Sequence, residues 1–225
     1  DFTAKNNIQN YGTISANTDL SLSSTFGSIN NYKSIIGGNG ITTINALNGS
    51  FNNNNQTSVL TANNNAIFNI QNLSNNGEIS VANNLTTNIT NNLTNNQTAL
   101  IWSGNNATFN VANTLLNNQA SIYANNNLTI QKNTSLDKTT LVQNISGNIE
   151  TYAGDIAIVA STLANQRSSM KTQSYVYWQS GCNFHNHECH YDSSYTASFS
   201  GTVGANSSIT SGGNVFLNLG ALNND

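Results

Sequence analysis

The chain has 225 residues, of which 7% are charged and none is proline, and its formal net charge is −3. Ordinary globular proteins carry about 25% charged residues. The six Lys and Arg residues form no cluster along the chain, which argues against partners such as nucleic acid or an anionic membrane surface. The longest apolar runs fall short of the roughly 18 residues that a transmembrane helix needs.

Asparagine dominates the composition, with 47 residues. Asn and Gly accept the positive φ angles that tight corners require, so their abundance predicts many corners and few long helices. The absence of proline fits a fold in which nearly every backbone N–H donates to a neighbouring strand. Disorder is the alternative for so polar a chain. The apolar residues, however, return in phase with the Asn-rich corners, as a packed core requires.

A phrase of about 20 residues recurs along the chain and is clearest at Leu73–Ile89. Pairs of asparagines that begin at Asn54, Asn75, Asn95 and Asn117 open successive copies. Each copy holds two or three short strands of alternating apolar and polar residues, such as the one with Ile79 and Val81. A fixed period of this length is the sequence signature of a solenoid.

The repeat predicts an all-β fold, a parallel β-helix. Stacked coils place equivalent strands side by side at about 4.8 Å, with apolar residues inward. Asparagines that stack at the corners are expected to form hydrogen-bonded amide ladders along the axis. Roughly nine coils would give a rod about 40 Å long. Asp1 and Asp225 both fall within the repeat pattern, so we expect residues 1–225 to be one β-helix segment of a longer filament.

One interruption breaks the pattern. Thr162–Gln166 restates Leu115–Gln119, but the strand that should follow appears only at Ser207–Thr210. We therefore predict that residues 167–205 are inserted into a single coil. Insertions in solenoids map to one face and often carry binding.

The insertion reads as a β-hairpin outside the helix. Gln173–Gln179 and Ser194–Ser200 both alternate like strands, and a Cys- and His-rich tip lies between them. This segment has the densest group of aromatic residues in the chain, which suits the centre of a protein interface. The candidate binding residues are Tyr175, Tyr177, Trp178, Phe184, His185, His187, His190 and Tyr191.

Cys182 and Cys189 flank the predicted tip. We expect them to form a disulfide that closes a small loop, stabilising it by about 2–3 kcal/mol. The alternatives are free thiols and bound zinc, for which the competent ligands are Cys182, His185, His187, Cys189 and His190. Their spacing matches no established zinc pattern, so we expect neither a metal nor any cofactor.

The acidic residues do not suggest a reaction. β-Helical polysaccharide lyases and hydrolases cluster their acids in a groove beside a basic residue or calcium. Here the acids of the repeats are spread over distant copies: Asp19, Glu78, Asp137, Glu150 and Asp155. No nucleophile motif is present. We therefore expect a protein that is not an enzyme, with a polysaccharide lyase or hydrolase as the alternative.

Two stretches resemble a known family. The phrase Leu-x-Asn-x-Gly-x-Ile-x-Ala followed by Leu-Thr-Ile resembles the filamentous haemagglutinin repeat. Gln143–Ile158, followed by Leu163–Arg167, resembles the central region of CdiA-type contact-dependent growth inhibition exoproteins. The resemblance implies a right-handed β-helix, exported through an outer-membrane partner by two-partner secretion. It also implies an extracellular location at the bacterial cell surface.

In that family the middle of the filament recognises an outer-membrane protein or lipopolysaccharide on a target cell. The resemblance therefore implies that this chain is a receptor-binding segment for a neighbouring bacterial cell. A host-directed haemagglutinin-type adhesin filament of the same fold is the alternative among binding functions.

Overall fold

The computed structural model describes residues 1–168 and 204–224 in full, and the backbone of residues 172–183 and 188–199. The described residues form strands and contain no helix. The strands are Phe2–Ala4 (β1), Ile8–Asn10 (β2), Thr13–Ser15 (β3), Leu20–Ser24 (β4), Ile29–Asn31 (β5), Ser34–Gly37 (β6), Thr42–Asn53 (β7), Val59–Ala62 (β8), Ala66–Asn75 (β9), Glu78–Val81 (β10), Leu85–Ile89 (β11), Asn92–Asn96 (β12), Leu100–Ser103 (β13), Ala107–Val111 (β14), Thr114–Asn118 (β15), Ser121–Ala124 (β16), Leu128–Gln131 (β17), Thr139–Ile145 (β18), Asn148–Thr151 (β19), Ile156–Gln166 (β20), Thr172–Asn183 (β21), Glu188–Phe199 (β22), Ser208–Ser211 (β23) and Val215–Asn224 (β24).

The strands stack as a parallel β-solenoid of about eight turns, consistent with a right-handed parallel β-helix, so the predicted fold class is confirmed. Sequence spacing alone gave about nine coils. Each coil contributes one layer to each of three faces, which we number in chain order. Face 1 runs β1-β4-β7-β9-β11-β14-β17-β20-β24, and face 2 runs β2-β5-β7-β9-β12-β15-β18-β20-β24. Face 3 is the separate sheet β3-β6-β8-β10-β13-β16-β19-β23.

Alternation in each strand fills the interior with apolar side chains. In β9 and β10, for example, Phe68, Ile70, Ile79 and Val81 are fully buried while their neighbours face outward. Phe68 also packs edge-to-face on Phe51 of the coil below, with ring centroids 5.5 Å apart. Since period-2 alternation sends successive side chains to opposite faces of a sheet, these apolar residues form one continuous core.

A ladder of asparagine amides runs along the inside corner where face 2 ends. Each Nδ2 donates to the Oδ1 of the next coil at 2.8–2.9 Å. The members, which we call the inner ladder, are Asn10, Asn31, Asn53, Asn75, Asn95, Asn117, Asn144, Asn165 and Asn224. The amides also donate to backbone carbonyls; Asn75, for instance, donates to the oxygens of Gly77 and Leu100. The ladder thus satisfies backbone carbonyls at a buried corner, where unpaired polar groups are costly.

The ladder corrects the alignment of one repeat. The sequence pairs Asn54 with Asn75, but the structure pairs Asn53 with Asn75. The reason is the corner that follows. The chain takes five residues from Asn53 to reach Ser58, whose backbone N–H and hydroxyl close the turn by donating to Asn55. The matching corner after Asn75 is shorter, so counting from the Asn-Asn pair misplaces the register by one.

The described chain divides into two compact units. One comprises Asp1–Gln166 with Ala205–Asp225, and the other is Arg167–Gly204. The described strands of the second unit are β21 and β22, which pair antiparallel. Within the first unit, β23 continues face 3 by pairing with β19, and β24 pairs with β20 along faces 1 and 2. The coil register therefore resumes after the inserted residues as though they were absent.

Candidate functional site

The predicted binding residues occupy the two strands and the tip of the inserted hairpin. Tyr175 lies opposite Thr196, and Tyr177 lies opposite Ser194. Trp178, His190 and Tyr191 lie opposite Ser193, Gly181 and Ser180, respectively. Phe184, His185 and His187 lie outside the described residues, as do the side chains of both strands. The backbone register therefore gives the positions of these residues, and their role in binding stays a prediction.

The register places the two cysteines as cross-strand partners. Cys182 lies directly opposite Cys189 in the antiparallel ladder. Directly opposed residues have Cα atoms about 4.5–5.5 Å apart, within the range that a disulfide spans. The disulfide between these two cysteines stays a prediction.

A second group of aromatic residues lies on the outside of face 3. Trp102 of β13 is the register partner of Tyr123 in β16, and Tyr123 is the partner of Glu150 in β19. All three side chains are partly exposed at outward positions. Tyr152 follows at the end of β19 and is 75% exposed. We call Trp102, Tyr123, Glu150 and Tyr152 the face-3 strip.

The titratable groups of the face-3 strip affect one another's protonation. Partial burial raises the pKa of the Tyr123 phenol, and the nearby Glu150 and Tyr152 raise it further. Glu150 is the register partner of Tyr123 in the next coil, and its carboxylate disfavours a second negative charge there. The sequence carries a signal for this pair, because Trp102 and Tyr123 are one repeat apart. Residues one period apart become neighbours when the coils stack.

Neutral polar groups border the strip. Ser80 precedes Trp102 in the same outward column, while Ser121 and Asn148 lie in the adjacent column. The strands of face 3 contain no Lys or Arg. The strip therefore consists of aromatic residues and one carboxylate, and it is flanked by Leu100 and by hydroxyl and amide groups. The strands of its sheet hold a second carboxylate, Glu78, and no cation.

Two acidic residues of the repeats have structural roles at corners between strands. Asp19 Oδ1 accepts the backbone N–H of Ile41 at 2.7 Å, and Asp155 Oδ1 accepts that of Asn214 at 2.7 Å. Asparagines hold the equivalent position in other coils, where Asn106 Oδ1 accepts the N–H of Asn127. Asp137 is engaged within its own loop, where it accepts from Asn133 Nδ2 at 2.8 Å. These carboxylates therefore serve the corners and loops of separate coils.

A cleft of about 330 Å³ is lined in part by Asn88 and Asn110 of face 1 and by Lys132, which follows β17. In residues 1–168 and 204–224, no three His, Cys, Asp or Glu side chains are grouped as metal ligands would be. The described residues also include no helix with the length and apolarity to cross a membrane.

The fold defines a class of protein: a parallel β-solenoid that carries an inserted β-hairpin. No family model, curated protein or solved structure matches the chain.

Proposed function

We propose that the chain is a non-enzymatic, receptor-binding segment of a secreted bacterial exoprotein of the contact-dependent growth inhibition type. In this proposal the full-length protein is displayed at the cell surface after export through an outer-membrane secretion partner. The segment recognises an outer-membrane protein or lipopolysaccharide on a neighbouring cell. The repeat and the stretch Gln143–Ile158, which resemble that family, supply the identity of the proposed class.

The observation that carries the proposal is the unbroken coil register on either side of the insertion. Asn165 donates to Asn224 at 2.8 Å, and Asn144 donates to the carbonyl of Ser208 at 3.0 Å. Among the described residues, the coils on either side of Arg167–Gly204 therefore hydrogen-bond directly to one another. A segment inserted between coils that keep their register is a natural place for binding.

The composition of the insertion supports a binding role. It holds both cysteines, all three histidines and Trp178, in a chain whose repeats are built chiefly from Asn, Ser, Thr and aliphatic residues. Trp and Tyr are enriched among the residues that dominate binding energy at interfaces. The corner roles of Asp19 and Asp155 favour binding over turnover, because acids that accept backbone N–H groups are committed to the fold.

Cell binding tests the proposal directly. The fluorescently labelled chain is incubated with Gram-negative cells and with isogenic mutants that lack individual outer-membrane proteins or outer lipopolysaccharide sugars. We expect saturable binding that one class of mutant abolishes. Binding to host cells with none to bacteria would favour the host-directed adhesin. Release of new reducing ends from a bacterial polysaccharide would replace the proposal with the polysaccharide-processing alternative.

A further inference from the structure

We propose that the face-3 strip is a binding site for a neutral polysaccharide chain, with Trp102, Tyr123 and Tyr152 as stacking platforms and Glu150 as a hydrogen-bond acceptor. This site belongs to the solenoid rather than to the inserted hairpin. The proposal does not rest on the receptor-binding role of residues 167–204.

The geometry suits an elongated ligand. Trp102, Tyr123 and Glu150 come from three successive coils in strict register, so they lie in a line along the axis of the solenoid. Neighbouring parallel strands are about 4.8 Å apart, which sets the interval between consecutive members of the line. Tyr152 extends the group at the adjacent corner. A chain of repeating units that lies along the axis meets one ring after another, whereas a small compact ligand contacts a single ring.

The rings lie in an outward column whose two positions next to Trp102 carry short side chains. Ser80 occupies the position next to Trp102, and Thr61 the position beyond it, so Trp102 stands above its neighbours on that side. Trp and Tyr combine an apolar ring with a polar tip. A pyranose ring has a matching character, because one face of C–H groups is bounded by hydroxyls.

Hydrogen-bonding groups flank the rings. The carboxylate of Glu150 accepts from sugar hydroxyls, while the side chains of Ser121 and Asn148 both donate and accept. Asn148 Oδ1 already accepts from the hydroxyl of Ser208 at 2.8 Å, which fixes the orientation of its amide. This hydrogen bond sets the direction of the amide Nδ2 before a ligand binds.

The charge of the strip selects among carbohydrates. The strands of face 3 contain no Lys or Arg, and the strip contains the carboxylate of Glu150. Anionic glycans such as polyuronates would therefore bring their charge to an acidic surface without compensation. A neutral glycan meets no such penalty. A basic peptide is the competing partner for a carboxylate beside aromatic rings, through cation–π contacts.

The experiment titrates the full chain by calorimetry with three sets of probes. They are neutral hexasaccharides of glucose, mannose and galactose, a hexagalacturonate, and a hexa-arginine peptide. We expect saturable binding of at least one neutral hexasaccharide. The substitutions Trp102→Ser and Tyr123→Ser are each expected to weaken that binding at least about five-fold, since each removes a stacking platform. Serine suits these positions because Ser80 already occupies the same outward column.

Two control variants isolate the site. Tyr11→Ser removes an exposed aromatic residue that stacks on Tyr32 outside face 3, and it should leave the dissociation constant within about two-fold. Phe26→Ser removes an exposed aromatic residue between β4 and β5 and should likewise have no effect. Far-UV circular dichroism confirms that each variant is folded.

Three results would overturn the proposal. In the first, none of the neutral hexasaccharides binds saturably. In the second, one binds equally well to the Trp102→Ser and Tyr123→Ser variants. In the third, the hexa-arginine peptide binds in preference and loses affinity in Glu150→Gln, which would assign the strip to a cationic protein segment.

Discussion

The side-chain amide of Asn165 donates to Asn224 at 2.8 Å, although 59 residues separate the two in sequence. Between them lies the whole inserted segment, Arg167–Gly204. The same inner ladder continues below through Asn144 and Asn117 at the same spacing. One column of amides therefore carries the coil register past the insertion and holds the solenoid together on both sides of it.

Removing an amide from the middle of the inner ladder should destabilise the protein. Asn95 is fully buried, accepts from Asn75, and donates to Asn117 and to the carbonyl of Ser121. Asn95→Ala takes one acceptor away from Asn75 Nδ2 and removes the donor to Asn117 Oδ1 and to the Ser121 carbonyl, at a cost of about 3 kcal/mol in the free energy of unfolding. Urea unfolding monitored by circular dichroism measures this loss of stability.

The matched control for this variant is Asn88→Ala. Asn88 also belongs to an amide column, where it donates to Asn69 and accepts from Asn110, but it lies exposed on the outside of face 1. Water replaces its lost partners, so we expect a loss of about 0.5–1 kcal/mol. Equal losses in the two variants would contradict the importance of the buried column.

The corner acid Asp155 should be replaceable by asparagine but not by alanine. Its Oδ1 accepts from both the backbone N–H and the Nδ2 of Asn214. Asparagine keeps an acceptor oxygen, and Asn127 already fills this place in the coil below. We expect Asp155→Asn to change the free energy of unfolding by less than about 0.5 kcal/mol and Asp155→Ala to cost about 1 kcal/mol. If Asp155→Asn instead kept the free energy of unfolding but abolished an activity of the protein, Asp155 would have a functional role in addition to its role at the corner.

The cysteines of the hairpin should be oxidised and free of metal. Cys182 and Cys189 are direct cross-strand partners in the backbone ladder. Thiol titration of the denatured chain should detect no free thiol before reduction and two afterwards. Elemental analysis of the native chain should detect no zinc. A stoichiometric zinc ion with two reactive thiols would favour the Cys-His ligand set instead.

Titration of Tyr123 should report on the charge of its neighbour. The pKa of Tyr123 is raised by partial burial and by the carboxylate of Glu150, because a negative neighbour disfavours the phenolate. Glu150→Gln removes that charge, so the phenolate forms more easily and the pKa of Tyr123 should fall towards its ordinary value. NMR of selectively labelled tyrosine measures the shift. In Glu78→Gln, which alters an acid two coils away on the same face, the pKa of Tyr123 should stay unchanged.

Much of the fold was predictable from the sequence because the repeat is local. The alternation around Ile79 and Val81 predicts which side chains are buried, and both are fully buried. The ladder of corner asparagines followed from the same period. The long strand β7 was not predictable, since its backbone runs from face 1 to face 2 through Ala46 and Ser50 with a register shift but without a break in strand structure.

The candidate sites were less predictable. The pairing of Trp102 with Tyr123 depends on the register between coils, and corners of unequal length obscure that register in the sequence, as they did at Asn54. The inserted segment could be recognised in the sequence because it interrupts the repeat. Which of its residues bind a partner is not encoded in the period of the repeat.

The most direct measurement for the central claim compares the intact chain with a variant in which residues 167–204 are replaced by a short Gly-Ser-Asn linker. Because Asn165 and Asn224 belong to one ladder and β19 pairs with β23, the solenoid should keep its circular dichroism and melting temperature. Flow cytometry with the fluorescently labelled chain then measures binding to the bacterial cells that the intact chain binds. We predict that the folded variant loses binding, and binding at the level of the intact chain would contradict the assignment of receptor recognition to the insertion.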